Sequence, residues 1–167
     1  AHQVDISPEN FPVVVNAMFT ERSATSVVDR LYAKALVLDD GQTRVALCVV
    51  DTCMMPRDLI DRAKDLAAKT TGIPTSRMCV SATHTHSAPS AMACLGSRAD
   101  PDYAASLPPK IAAAIDSLNA LSAREWLSIV QHNIVFAPRA GILQIENHVA
   151  VVDAVVRHAA RIQRIEQ

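Results

Sequence analysis

Aromatic side chains make up only 4% of this 167-residue sequence, too few for the platforms on which nucleic-acid bases stack. Neither sign of charge is in excess. Sixteen Lys and Arg stand against 17 Asp and Glu, a net charge of -1 with both signs spread along the chain. That excludes the basic footprint of nucleic-acid binding. Long apolar runs are missing too, because the run at 45–50 is cut by Asp51 and Pro56, far short of the roughly 20 residues of a membrane span. The four cysteines (Cys48, Cys53, Cys79, Cys94) contain no CxxC spacing, so neither a structural zinc site nor a redox motif is indicated. Cys48 and Cys79 lie in apolar, strand-like runs and read as buried thiols. The opening Ala1-His2-Gln3-Val4-Asp5 lacks the basic and apolar regions of a signal peptide and reads directly as a strand.

The hydrophobic fraction of 50% and charged fraction of 20% are those of a globular chain, and the length fits one domain over residues 1–167. Residues 31–38 and 43–50 are strand-like runs around Asp39-Asp40-Gly41-Gln42, which predicts a hairpin. Pro56 then opens a helix with Leu59, Ile60, Ala63, Leu66 and Ala67 on one face, ended by Gly72 with Pro74 beyond. Residues 77–82 read as the next strand, and Asp100-Pro101 as part of a following loop. A second helix is predicted from about Pro109, with Ile111, Ile115 and Leu118 inward. A strand at 126–130 follows, then a last helix from about Val149. Strands alternating with amphipathic helices predict an α/β fold, a layered sheet with packed helices. The stretch 132–141 fits that scheme least.

One short segment carries chemistry: Thr83-His84-Thr85-His86-Ser87. In an extended strand, side chains two apart share a face, so His84 and His86 are expected to project together from the end of the strand. Two imidazoles on one face are half of a metal site, and a catalytic zinc usually takes three protein ligands plus water. A histidine that does not bind the metal can hydrogen-bond a substrate or carry a proton. HxH also arises by chance, but carboxyl ends of strands in α/β sheets are where ligands bind. Ser87-Ala88-Pro89-Ser90-Ala91 are small and turn-forming, leaving room for a substrate. Metallo-β-lactamase-like hydrolases would need Asp-His where Ser87-Ala88 stand, and barrel amidohydrolases need a far longer chain.

Ala82-Thr83-His84-Thr85-His86-Ser87-Ala88-Pro89 closely resembles the ATHTHSGP segment of the neutral/alkaline, non-lysosomal ceramidase family. Val4-Asp5-Ile6-Ser7-Pro8 resembles that family's opening D-I-[ST]-P strand, residues 31–41 its first hairpin, and Val49-Val50-Asp51 the strand that closes it. These pieces stand in family order over roughly residues 4–121. The resemblance implies part of a catalytic N-terminal domain, zinc as cofactor, and hydrolysis of the N-acyl amide of a small-molecule or lipid substrate such as ceramide. It makes His84 the metal ligand and His86 the neighbour that contacts substrate. Members of the family are secreted or periplasmic.

The chain departs from the family pattern where Ala88, Ser90 and Ala91 replace glycines. Beyond about residue 122 no motif matches the family's remaining ligands, a His, a Glu and a Tyr. His132, Glu146 and His148 have only the right chemical type, and Arg139 stands for a substrate-contacting arginine on the same basis. The chain then reads as a fragment or as a short, divergent relative. The alternative to an enzyme is a non-catalytic relative that keeps the fold and half of the metal site. Two imidazoles without a third ligand also predict that zinc is held weakly and works poorly in this chain alone.

Other polar residues carry blander expectations. Asp51 reads as a strand-end cap before it reads as a partner that orients a histidine. Asp29 and Arg30 read as a solvated pair, Met54 and Met55 as core or pocket lining, and His158 as a surface histidine. His2, at the terminus, is uninformative.

Overall fold

A computed structural model of the protein describes residues 2–17, 19–39 and 41–116. In chain order they form β1 (His2–Asp5), β2 (Val13–Val15), β3 (Arg22–Ala24), β4 (Tyr32–Asp39), β5 (Arg44–Val50), α1 (Arg57–Thr71), β6 (Met78–Ala82) and α2 (Pro101–Asp116). The predicted strands at 126–130, the last helix from Val149 and Leu118 lie outside the described residues, as does the rest of the expectation of one domain over 1–167.

The β4–β5 hairpin forms where its turn chemistry places it. Asp39 pairs with Arg44 across the turn, and Gly41 takes φ +86, a conformation glycine adopts without penalty. The Asp39 carboxylate accepts the Gly41 N–H at 2.8 Å. β1 adds antiparallel to β4, and β6 adds parallel to β5, giving the order β1-β4-β5-β6. β6 is therefore an edge strand among the described residues, not a central one.

α1 is the crossover that a parallel β5–β6 pair requires. Gly72 caps its end at φ 70, its N–H reaching the Ala68 carbonyl at 3.0 Å, the left-handed cap such positions favour. Leu59, Ala63 and Ala67 are fully buried, whereas Leu66, at the margin of that face, is 39% exposed. α1 packs chiefly on α2, and α2 lies against β1, β4 and β5. All three share one core with Ala33, Ala35, Ala46, Cys48 and Val50 from the sheet and Leu107, Ile111 and Ile115 from α2. Burial of each large side chain in that core contributes about 1.5–3 kcal/mol.

Two sequence expectations require correction. α2 starts eight residues before the predicted Pro109. Asp100 caps it, with its carboxylate accepting the Tyr103 N–H at 3.1 Å and its carbonyl accepting the Ala104 N–H at 2.9 Å. Pro101 occupies the first helical position, where a missing N–H costs nothing, so Asp-Pro here is a helix start and not a loop. Cys48 is buried as expected, and burial pushes its thiol up to about 12. Cys79, however, is exposed, because alternate residues of the edge strand β6 face away from the core.

A second, two-stranded sheet of β2 and β3 has no counterpart in the sequence reading. Its backbone is tied to the segment after the histidines: Ser90 N–H donates to Val14 at 2.7 Å and Asn16 N–H to Ala88 at 3.1 Å. The Asp100 carboxylate also accepts the Val14 N–H at 3.2 Å, joining this small sheet to the start of α2.

Candidate metal centre

The parallel register sets Val50 beside Ala82, so the segments leaving β5 and β6 emerge together at the carboxyl end of the sheet. Three residues past Val50 is Cys53, and two past Ala82 is His84. Cys53, His84 and His86 each offer a donor atom within 4.8 Å of the other two. Cys53 is buried, His86 half-buried and His84 exposed. The cluster thus has a closed floor and an open mouth.

The two imidazoles do meet, with ring centroids 5.0 Å apart and planes at 69°. They meet by a different route from the one expected, because β6 ends at Ala82 and His84 has φ 61. The strand period of two does not apply to a residue in the left-handed region. A side chain with a Cβ pays on the order of 1–2 kcal/mol to stay there, and such outliers gather at functional sites.

What fixes the His84 ring is a contact to the other strand end. Its Nδ1 lies 3.0 Å from the Cys53 carbonyl oxygen and 3.8 Å from Cys53 Sγ. A carbonyl can only accept, so Nδ1 carries a proton and Nε2 is the nitrogen left to ligate. Metal-binding histidines are held in this way, one nitrogen donating to protein while the other faces the ion. The His86 carbonyl accepts from Arg22 of β3 at 3.5 Å. Burial raises the pKa of the Cys53 thiol, and the neighbouring Cys94 thiol adds to the rise. Cys94 Sγ itself donates to Asn16 Oδ1 at 2.9 Å.

Cys53 was missed in the sequence because it stands 31 residues from His84 and belongs to no spacing motif. The usable signal was topological: consecutive parallel strands joined by a helix bring their carboxyl ends together. Ala88, Pro89, Ser90 and Ala91 are buried, and the β2 pairing holds their backbone. Ser87, the first residue of that small-residue segment, is exposed. Asp51 ties the end of β5 back to β4 and is not seen capping the turn that follows it. Its carboxylate accepts the Tyr32 N–H at 3.0 Å and lies 3.6 Å from Lys34 Nζ. Arg30 pairs with Asp5 and not with Asp29. Met54 and Met55 are half-buried, and His2 is exposed. His132, Arg139, Glu146, His148 and His158 lie outside the described residues. A cavity of about 170 Å³ lined by Asp5, Ser7, Pro8, Glu9, Arg30 and Lys110 shares no residue with the cluster.

The donor set fits a divalent transition metal. Imidazole nitrogen and thiolate sulfur are the ligands zinc prefers, and the Nδ1 contact to the Cys53 carbonyl leaves Nε2 as the nitrogen of His84 that can ligate.

The α/β architecture, a mixed four-stranded sheet with two helices, matches part of a known fold. The crystal structure of neutral ceramidase from Pseudomonas aeruginosa superposes on 69% of this chain with a TM-score of 0.59 at 20% sequence identity. The chain covers 20% of that protein's length. No family model matches the chain, and no curated protein sequence does. At that identity the likeness is one of fold.

Proposed function

We propose that this chain is the metal-binding part of a ceramidase-like hydrolase of N-acyl amide bonds, with a small-molecule or lipid amide as substrate. The observation that supports the reading most is the convergence of His84 and His86 with Cys53 at the carboxyl end of parallel strands, in a fold shared with a neutral ceramidase. His84 would hold zinc through Nε2, its ring oriented by the Cys53 carbonyl. Zinc bound there would polarise the amide carbonyl and lower the pKa of a water molecule towards neutrality. His86 stands beside it, where it can hydrogen-bond the substrate and move a proton between substrate and solvent. The exposed face of His84 leaves the substrate a route in, while the buried Cys53 side keeps water out.

Hydrolysis of a fluorescent short-chain ceramide by the 167-residue chain, with a simple N-acyl amine in parallel, tests the reading. Slow release of the acyl product, abolished by a chelator and by His84→Ala, is expected. Release that His84→Ala leaves unchanged overturns it. Zinc binding with no release from either substrate favours the non-catalytic relative.

A further inference from the structure

The buried wall of the cluster is sulfur. Cys53 is 1% exposed, and its Sγ lies 3.8 Å from the nitrogen of His84 that faces its own carbonyl. A buried thiol in an apolar core needs no particular neighbour, and Cys48 has none of this kind. Cys53 instead shares a 4.8 Å cluster with two imidazoles at a strand end. Tetrahedral zinc with sulfur at about 2.3 Å and nitrogen at about 2.0 Å sets its donors roughly 3.5 Å apart. With one nitrogen counted from each imidazole, donors within 4.8 Å of one another would close by up to about 1 Å to reach that spacing. A second observation sits in the same two segments. Thr52 Oγ1 and Thr83 Oγ1, on the residues just before Cys53 and His84, are buried hydroxyls without a partner among the described residues. Unpaired polar atoms of that kind cost free energy and call for an explanation such as an ion or an ordered water.

We infer that Cys53 is a ligand, as its thiolate, of the same metal that His84 holds. On binding, the Cys53 thiol releases its proton to solvent and the sulfur takes its place in the coordination sphere. His86, within reach of the same ion, supplies the third donor in the absence of substrate. Among the described residues the ligand set is then Cys–His–His. A thiolate makes the site softer than one built of imidazole and carboxylate and inclines it towards zinc and cobalt over magnesium or calcium. The inference rests on the metal-binding half of the proposed function and not on the amide chemistry.

Cobalt(II) is the probe, because thiolate ligation gives an intense near-ultraviolet sulfur-to-cobalt band that imidazole alone does not. The 167-residue chain with one equivalent of cobalt is expected to show that band. Cys53→Ala should abolish it, Cys94→Ala should keep it, and His84→Ala should weaken cobalt binding by more than about 10-fold, the least that even an outer partner of a ligand costs. If Cys53→Ala fails to fold by circular dichroism, the band is assigned by elimination among the four cysteines. Its survival in Cys48→Ala, Cys79→Ala and Cys94→Ala taken singly supports Cys53, and its loss in one of them overturns the inference. Cobalt bound in a His84-dependent way without a sulfur band overturns Cys53 as ligand and leaves the hydrolase reading standing. Absence of cobalt binding removes the metal from both.

Discussion

Replacing His84 by glycine and by alanine separates what the residue does for the fold from what it does for a metal. Both variants lose the ring, and with it the contact from Nδ1 to the Cys53 carbonyl at 3.0 Å, so that loss cancels between them. What differs is the backbone at φ 61. Alanine there pays on the order of 1–2 kcal/mol, as any residue with a Cβ does. Glycine escapes that cost but gives back about 0.4–1 kcal/mol through the greater freedom of its unfolded chain. The balance favours His84→Gly over His84→Ala by roughly 0.7 kcal/mol. With a urea m-value of about 2 kcal/mol/M, the midpoint of the glycine variant should lie about 0.3 M higher. Both must be measured in chelator, since a bound metal would add its own stabilisation. An alanine variant as stable as the glycine variant, or more so, would refute the left-handed conformation as the reason these rings meet.

Gly96 carries a sharper constraint: a Cβ there would lie 2.6 Å from the carbonyl carbon and oxygen of Phe19, at φ +84. Gly96→Ala should cost at least about 2 kcal/mol, seen by calorimetry as a melting temperature about 4–8 °C lower; a change under 1 °C would mean that the 94–97 turn does not pack on Phe19. Asp5 gives a pH prediction. Hydrogen bonding by Ser7 and the neighbouring Arg30 guanidinium hold its carboxyl at about 2, below its ordinary 3.8. A depressed carboxylate stabilises the fold above its unfolded value and loses that contribution as pH falls through its folded value. The stability gap between the wild type and Asp5→Asn should therefore be constant above pH 4 and shrink between pH 4 and pH 2, and a gap that stays constant down to pH 2 would rule out the pairing.

Much of the frame was legible because local chemistry and tertiary context agree. Asp39 and Gly41 announce the β4–β5 hairpin, and Gly72 with the Leu59–Ala63–Ala67 spacing announces α1. α2 was misplaced because Asp100-Pro101 serves equally well in a turn and at a helix start, and because Pro109 suggested a boundary inside what is one helix. β2 and β3 are three residues each, too short for a period of two to register, and β2's further partners in the 88–90 segment are far away in sequence. At the candidate site, HxH pointed to the right segment for a reason that does not operate there: the rings converge through a left-handed turn, not through strand alternation. Cys53 had no local mark at all. Its place in the cluster follows from the β5–β6 register, which only long-range pairing reveals, and it adds a third donor to the two imidazoles that spacing offered.

Calorimetric titration of the chelated 167-residue chain with zinc, beside His84→Ala, tests most directly whether this strand-end cluster is a metal site. The account predicts one zinc per chain, with the binding heat lost or shifted to at least 10-fold weaker affinity in His84→Ala. Binding that is indifferent to His84, or no binding heat in the wild type, would contradict it.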